Sequence, residues 1–134
     1  MVCKVVLPGI SITLVEPRLK RVSFLKLMVR RLGLDGVEIV SCRIDDEVQI
    51  TSQTQFTHIT GRAVTEVGLF LLLVERFAES RAQLVLMKGP KWRQELESAS
   101  EILDSSSYKL DQVVECSLPF SGAQRALLIF SVKN

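Results

Sequence analysis

The segment Ile12-Thr13-Leu14-Val15-Glu16-Pro17, running directly into Arg18-Leu19-Lys20-Arg21-Val22-Ser23-Phe24-Leu25, constrains the fold more than any other part of the chain. Ser11 to Val15 is a short β-branched and aliphatic run bounded by Pro8-Gly9 and Pro17, which predicts a strand and not a helix. Arg18 to Leu32 then carries Val22, Leu25, Val29 and Leu32 on one stripe, which predicts an amphipathic helix stopped by Gly33. Glu16 sits at the junction. In an open parallel sheet, ligands bind outside the carboxyl ends of strands, where an acid can accept hydrogen bonds from both ribose hydroxyls. Glu16 is therefore a nucleoside-binding candidate. Alternatively, it only precedes a Pro-started helix, whose positive dipole end favours a carboxylate.

The remaining chain repeats the alternation. Val37 to Cys42 and Phe56 to Thr60 are predicted strands, separated by the aperiodic polar stretch Asp45 to Gln55. Ala63 to Phe77 reads as a helix apolar around most of its circumference, and hence covered on more than one side. Gln83 to Met87 is a further buried strand. Lys91 to Leu103 carries Trp92, Leu96, Ala99 and Leu103 at helical spacing. Tyr108 to Leu118 and Ala126 to Val132 flank Pro119-Phe120-Ser121-Gly122 and predict an antiparallel hairpin. Strands alternating with helices imply an α/β fold with a parallel sheet covered on both faces.

At 134 residues the chain is expected to form one domain, short for a full doubly wound fold. A hydrophobic share of 47% and a charged share of 24% exclude a disordered tail and a coiled coil. Net charge, +2, says little, but Arg18, Lys20, Arg21, Lys26, Arg30 and Arg31 fall in one helix-length window without an acid, which suits a polyanion. The longest apolar run, Val67 to Val74, is too short to span a bilayer, and no membrane partner is expected. Without an export signal, and with Cys3, Cys42 and Cys116 odd in number and scattered, reduced thiols in the cytoplasm are the simplest account. His58 is the single histidine and falls in a strand, where a structural role is expected and a zinc site is not. Trp92, Phe24 and Phe70 are read as packing residues.

Thr13-Leu14-Val15-Glu16-Pro17-Arg18-Leu19-Lys20-Arg21-Val22-Ser23-Phe24-Leu25 resembles the TLLDSxxKRVxFL signature of the bacterial 16S rRNA guanine-N7 methyltransferase family, RsmG or GidB. Ser41-Cys42-Arg43-Ile44-Asp45-Asp46 is similar to xGRAEE, and Ile59-Thr60-Gly61-Arg62-Ala63-Val64 to VTSRAV. Leu86-Met87-Lys88-Gly89 is similar to ALKG, and Leu118 to Arg125 to LPGTGAER. The resemblance implies a Rossmann-like class I methyltransferase sheet ending in an antiparallel hairpin, with S-adenosylmethionine as cofactor and 16S rRNA or the small ribosomal subunit as partner. It implies Glu16 at the ribose, Ile44 and Asp45 at the adenine end, and Arg62 bordering the cofactor. Arg18, Lys20, Arg21, Lys88 and Arg125 are the implied RNA contacts. A cation between a strand end and a helix start, as at Arg62, calls for an anionic partner, either a ligand or Glu66 one turn on. Guanine N7 has an in-plane lone pair, so methylation there needs no general base.

Family members carry an earlier strand and a Gly-rich cofactor loop, whereas the sole early glycine here is Gly9, in the turn before the Glu16 strand. The sheet's first strand is thus expected to be missing. The gap would close by direct pairing of the strands containing Leu14 and Ile59, by a partner strand or missing N-terminal segment, or by self-association as a homo-oligomer. Three functional readings follow. They are a methyltransferase, inactive or active in this short form; a non-catalytic RNA-binding or interaction module using helix 18–31; and a nicotinamide-nucleotide enzyme, weakened by the absent Gly-rich turn.

Overall fold

The computed structural model describes residues 1–46, 55–62 and 64–133. Much of the expected polar loop 45–55, and Ala63, lie outside the described residues. The chain divides into two compact units, residues 1–51 and 52–134.

The first unit opens with a short helix α1 (Val2–Val6) that the sequence pattern did not reveal. Its Lys4 is buried, and its ammonium donates to the carbonyls of Pro8 and Ile10, both at 2.6 Å, fixing the approach to the first strand. Strand β1 (Ile12–Val15) pairs in parallel with β2 (Val37–Val40), with Ile12 opposite Val37 and Val15 opposite Val40. Helix α2 (Leu19–Arg31) makes the crossover between them. Gly33 ends it at φ 59° and Gly36 turns into β2 at φ 65°, conformations an L side chain resists. On α2 only Val22 is fully buried. Leu32, expected on the buried stripe, and Phe24, expected to pack, are exposed at 48% and 59%. Phe24 lies about 200° around the helix from Val22, off the inward arc, and Leu32 lies past the last helical residue.

The second unit is a four-stranded mixed sheet in the order β3-β4-β6-β5. Strand β3 (Phe56–Arg62) runs parallel to β4 (Ala78–Lys88), and the hairpin β5 (Tyr108–Ser117) and β6 (Gln124–Val132) adds two antiparallel strands, as the turn chemistry predicts. Strand β4 is twice as long as its apolar run because Ala78 also pairs, with Phe56, across a register shift that precedes the regular ladder from Gln83 onward. Along β4 the buried residues are Ala82, Leu84, Leu86 and Lys88, and along β6 they are Ala126, Leu128 and Phe130. This period of two is a sheet buried mainly on one face, in contrast to the expected two-sided burial.

That face is covered by α3 (Val67–Val74), a 3₁₀ turn at Glu75–Phe77, α4 (Trp92–Ser98) and α5 (Ser100–Ser105). Helix α3 buries Val67, Phe70, Leu71 and Val74 but exposes Leu69 and Leu72 at 50% and 52%, so it is covered on one side only. The single helix expected over Lys91 to Leu103 breaks at Ala99. There the amide is shared between the carbonyls of Glu95 and Leu96, and the Ser98 hydroxyl bonds back to Gln94. Gly68 lets α5 approach α3, since a Cβ there would lie 2.6 Å from Ile102 Cδ1.

Strand β1 bonds to β2 and β3 to β4, in separate sheets, so one edge of each carries no ladder among the described residues.

Candidate functional site

In the first unit, two strand ends meet at one edge. Strand β1 runs into Glu16, whose backbone N–H bonds the Val40 carbonyl at 3.1 Å, and β2 runs into the Ser41–Asp46 turn closed by Asp46 N–H on Arg43 O. Glu16 Oε1 accepts from the Arg18 N–H at 2.9 Å, and Oε2 accepts from Arg21 Nη1 at 3.4 Å. The Arg18 amide, helped by Arg21, holds the carboxyl below its ordinary range despite some desolvation. Glu16 is thus an ionised acceptor at neutral pH, and it serves the first turn of α2 at the same time. With about four lone-pair positions and one donor on each oxygen, it keeps capacity for two further donors, the requirement of a vicinal diol.

Beyond β2, Arg43 grips Asp45 with both Nε and Nη2, at 3.0 and 3.2 Å, and Ile44 is half-buried between them in sequence. A donor arriving at Asp45 would share the carboxylate with Arg43. Cys42 is buried, and burial followed by the Asp46 and Asp45 charges pushes its thiol upward, so it is a packing residue and not a nucleophile. All three cysteines are free. Arg18, Lys20, Arg21, Lys26, Arg30 and Arg31 are all exposed.

In the second unit, register places Arg62 opposite Met87, Lys88 opposite Ala126 and Cys116 opposite Arg125. Arg62, Lys88 and Arg125 therefore share the carboxyl edge of the parallel pair β3/β4. Arg62 is exposed, and no ion pair joins it to Glu66, the alternative that local spacing offered. Arg125 is half-buried, with Nη1 donating to Gln124 O at 2.7 Å.

Lys88 differs from its expected place at an RNA surface. It is only 8% exposed, and its ammonium donates to Glu95 Oε2 and to Thr65 O, both at 2.6 Å. The reason is parity: residue 88 follows Ala82, Leu84 and Leu86 onto the covered face of β4. Glu95 and the Thr65 carbonyl went unnoticed because no local spacing links positions 65, 88 and 95. His58 lies on β3 with Nδ1 3.0 Å from Thr57 Oγ1 and joins no ligand set. Among the described residues no group of three His, Cys, Asp or Glu is placed to hold a metal, and no helix is long and apolar enough to cross a membrane.

The chain is similar to the ribosomal RNA small subunit methyltransferase G of Desulfotalea psychrophila, at 43% identity over 129 residues, covering 96% of this chain and 59% of that protein. It is 35% identical to the same-named protein of Lactobacillus johnsonii, covering 94% of this chain and 53% of the relative. It therefore spans little more than half the length of these curated relatives. In fold it is similar to an O-methyltransferase from Bacillus cereus solved with S-adenosylhomocysteine (TM-score 0.70, 10% identity, 93% of this chain and 64% of that one). It is also similar to an rRNA methylase from Streptococcus thermophilus (TM-score 0.67, 9% identity, 92% and 74%). These likenesses show a class I methyltransferase fold. Because the family model described as GidB, rRNA small subunit methyltransferase G, matches residues 1–128, the chain belongs to that family.

Proposed function

We propose that this chain supplies binding surfaces for S-adenosylmethionine and 16S rRNA in methylation of a guanine N7. One observation carries the reading. An ionised Glu16 with unused acceptor capacity stands at the carboxyl end of β1, beside the Ile44–Asp45 turn at the end of β2.

The residues present fit the cofactor's chemistry. Glu16 would accept from the two ribose hydroxyls, Asp45 from an adenine amino group, and Ile44 would cover the adenine face. The exposed Arg62 suits an anionic group, as the family pattern implies for the cofactor side. When bound, S-adenosylmethionine supplies an electrophilic methyl on a sulfonium sulfur. The guanine lone pair would form the new N–C bond as the C–S bond breaks and its electron pair leaves with the sulfur, so no residue of this chain would need to remove a proton. What these side chains contribute is alignment and exclusion of water.

Calorimetric titration with S-adenosylmethionine and S-adenosylhomocysteine tests the reading. Saturable binding is expected in the wild type and lost in Glu16→Ala and weakened in Ile44→Ser, with both variants shown folded by circular dichroism. Unchanged affinity in both variants, or a folded wild type that gives no binding, would overturn it.

A second reading, RNA binding without catalysis, is favoured by the exposed, acid-free basic set on α2. It predicts RNA affinity that falls steeply with salt and is indifferent to Glu16→Ala.

A further inference from the structure

The tip of the β5–β6 hairpin holds an aromatic ring in a costly pose. Phe120 has φ 67°, the sole non-glycine positive φ among the described residues, and its side chain is completely exposed. The Ser121 N–H bonds the Pro119 carbonyl at 2.8 Å, so Phe120 is the central residue of a γ-turn of the rare, strained hand. Two further bonds lock the tip, Leu118 N–H to Ala123 O at 2.9 Å and Gly122 N–H to Leu118 O at 3.0 Å. The family pattern LPGTGAER has glycine at this place, a residue that adopts such a φ without strain. Here a bulky ring is held where the backbone resists it and where no described residue covers it. Strain that is over-determined by its surroundings marks positions where the pose itself is used.

Register fixes where the ring stands. Ser117 pairs with Gln124 and Lys88 with Ala126, so the tip projects from the carboxyl edge that also carries Arg62, Lys91 and Arg125. Arg62 and Lys91 are exposed, and none of the three forms an ion pair among the described residues. An aromatic face bordered by cations is the arrangement that binds an unpaired base with its phosphates.

We propose that Phe120 stacks on an unpaired base of the RNA substrate and so sets the register in which RNA meets the carboxyl edge. This rests on the RNA-directed reading above. Stacking is tolerant of base identity, because every base offers a π face, so Phe120 contributes position and affinity and leaves the choice of nucleotide to other contacts.

The test is fluorescence anisotropy with a labelled, short single-stranded RNA containing guanines, on the full chain and on Phe120→Gly, Phe120→Tyr and Phe120→Leu, each with a thermal melt. Phe120→Gly should bind roughly 5- to 150-fold more weakly, the span of one lost base–aromatic stack. It should also melt higher than the wild type because the strain is gone. Phe120→Tyr should bind like the wild type, and Phe120→Leu like the glycine variant. The salt slope should be unchanged in Phe120→Gly yet shallower by about one in Lys91→Ala. Wild-type affinity in Phe120→Gly overturns the proposal while leaving RNA binding intact, and full affinity in Phe120→Leu overturns stacking in favour of a plain apolar contact, since an aliphatic side chain has no π face. A folded wild type that ignores RNA removes the RNA-directed reading and Phe120's role with it.

Discussion

Gly61→Ala should loosen the second unit by relocating a single ring. Gly61 precedes Arg62 on β3, and the ring of Phe70 of α3 lies close against its backbone. A Cβ built there would stand 2.5 Å from Phe70 Cε2, 3.0 Å from Phe70 Cζ and 3.2 Å from Leu86 Cδ2. Comfortable carbon contacts are about 3.5–4.0 Å, so the ring must retreat by about 1 Å. It has little room, being 3% exposed and packed with Leu84, Leu86 and Trp92 in the main core. Overpacking of this kind costs about 1–3 kcal/mol, offset by about 0.5–1 kcal/mol because alanine loses less backbone entropy than glycine in a strand. The net expectation is about 1–2 kcal/mol. For a cooperative unit of this size that is a fall in Tm of roughly 5–15 °C. Thermal and urea melts followed by circular dichroism measure it. Phe70→Leu should then be less damaging in the Gly61→Ala background than alone, by about 1 kcal/mol in a double-mutant cycle. An unchanged or higher Tm for Gly61→Ala, or strictly additive effects of the two substitutions, would refute the reasoning.

Glu95→Ala leaves the buried Lys88 ammonium with Thr65 O as its remaining acceptor and should destabilise by about 2–4 kcal/mol, more than Lys88→Met, which removes the charge itself; urea melts of both variants decide the order. Tyr108 is the single tyrosine and is 1% exposed, and burial, reinforced by the Glu75 charge, raises its phenol to about 12. A raised folded value stabilises fully below the unfolded value near 10 and is lost as pH rises through about 12. Alkaline melts should lose on the order of 2 kcal/mol there, and an ultraviolet titration showing an ordinary phenol would contradict this. Glu16 has the opposite sign. Its lowered carboxyl contributes stability above the unfolded value near 4.5, lost as pH falls through the folded one, and Glu16→Gln should flatten that acid limb of the stability curve.

Much of the candidate site was legible because its signals are local. A β-branched run closed by Glu16-Pro17 specifies a strand, an acceptor and a helix start within a few residues. Gly33, Gly36 and Gly122 mark turns by a backbone freedom that belongs to glycine itself, and all three adopt positive φ. Order and spacing of the Glu16, Arg43–Asp46, Gly61–Arg62, Lys88 and Leu118–Arg125 segments carried the family. These features depend on dihedral preferences and on hydrogen bonds that reach at most a turn along the chain.

Burial and partnership did not follow from local signals. Lys88 carries a charge that composition assigns to the surface, yet the parity of β4 turns it inward, where Glu95 and the Thr65 carbonyl satisfy it. Phe24 and Leu69 look like core residues and stand exposed, because each lies off the arc of its helix that meets a sheet. Gly61 is a glycine because a ring from another element lies on it, and Phe120 is strained because a closed hairpin tip holds it. The sequence by itself determined the order of most strands and helices and which chemical groups sit near their ends, because those choices are made largely by neighbouring residues. Only the tertiary structure decided which of those groups are buried, paired or presented, because that depends on which elements, distant in sequence, come to lie against one another.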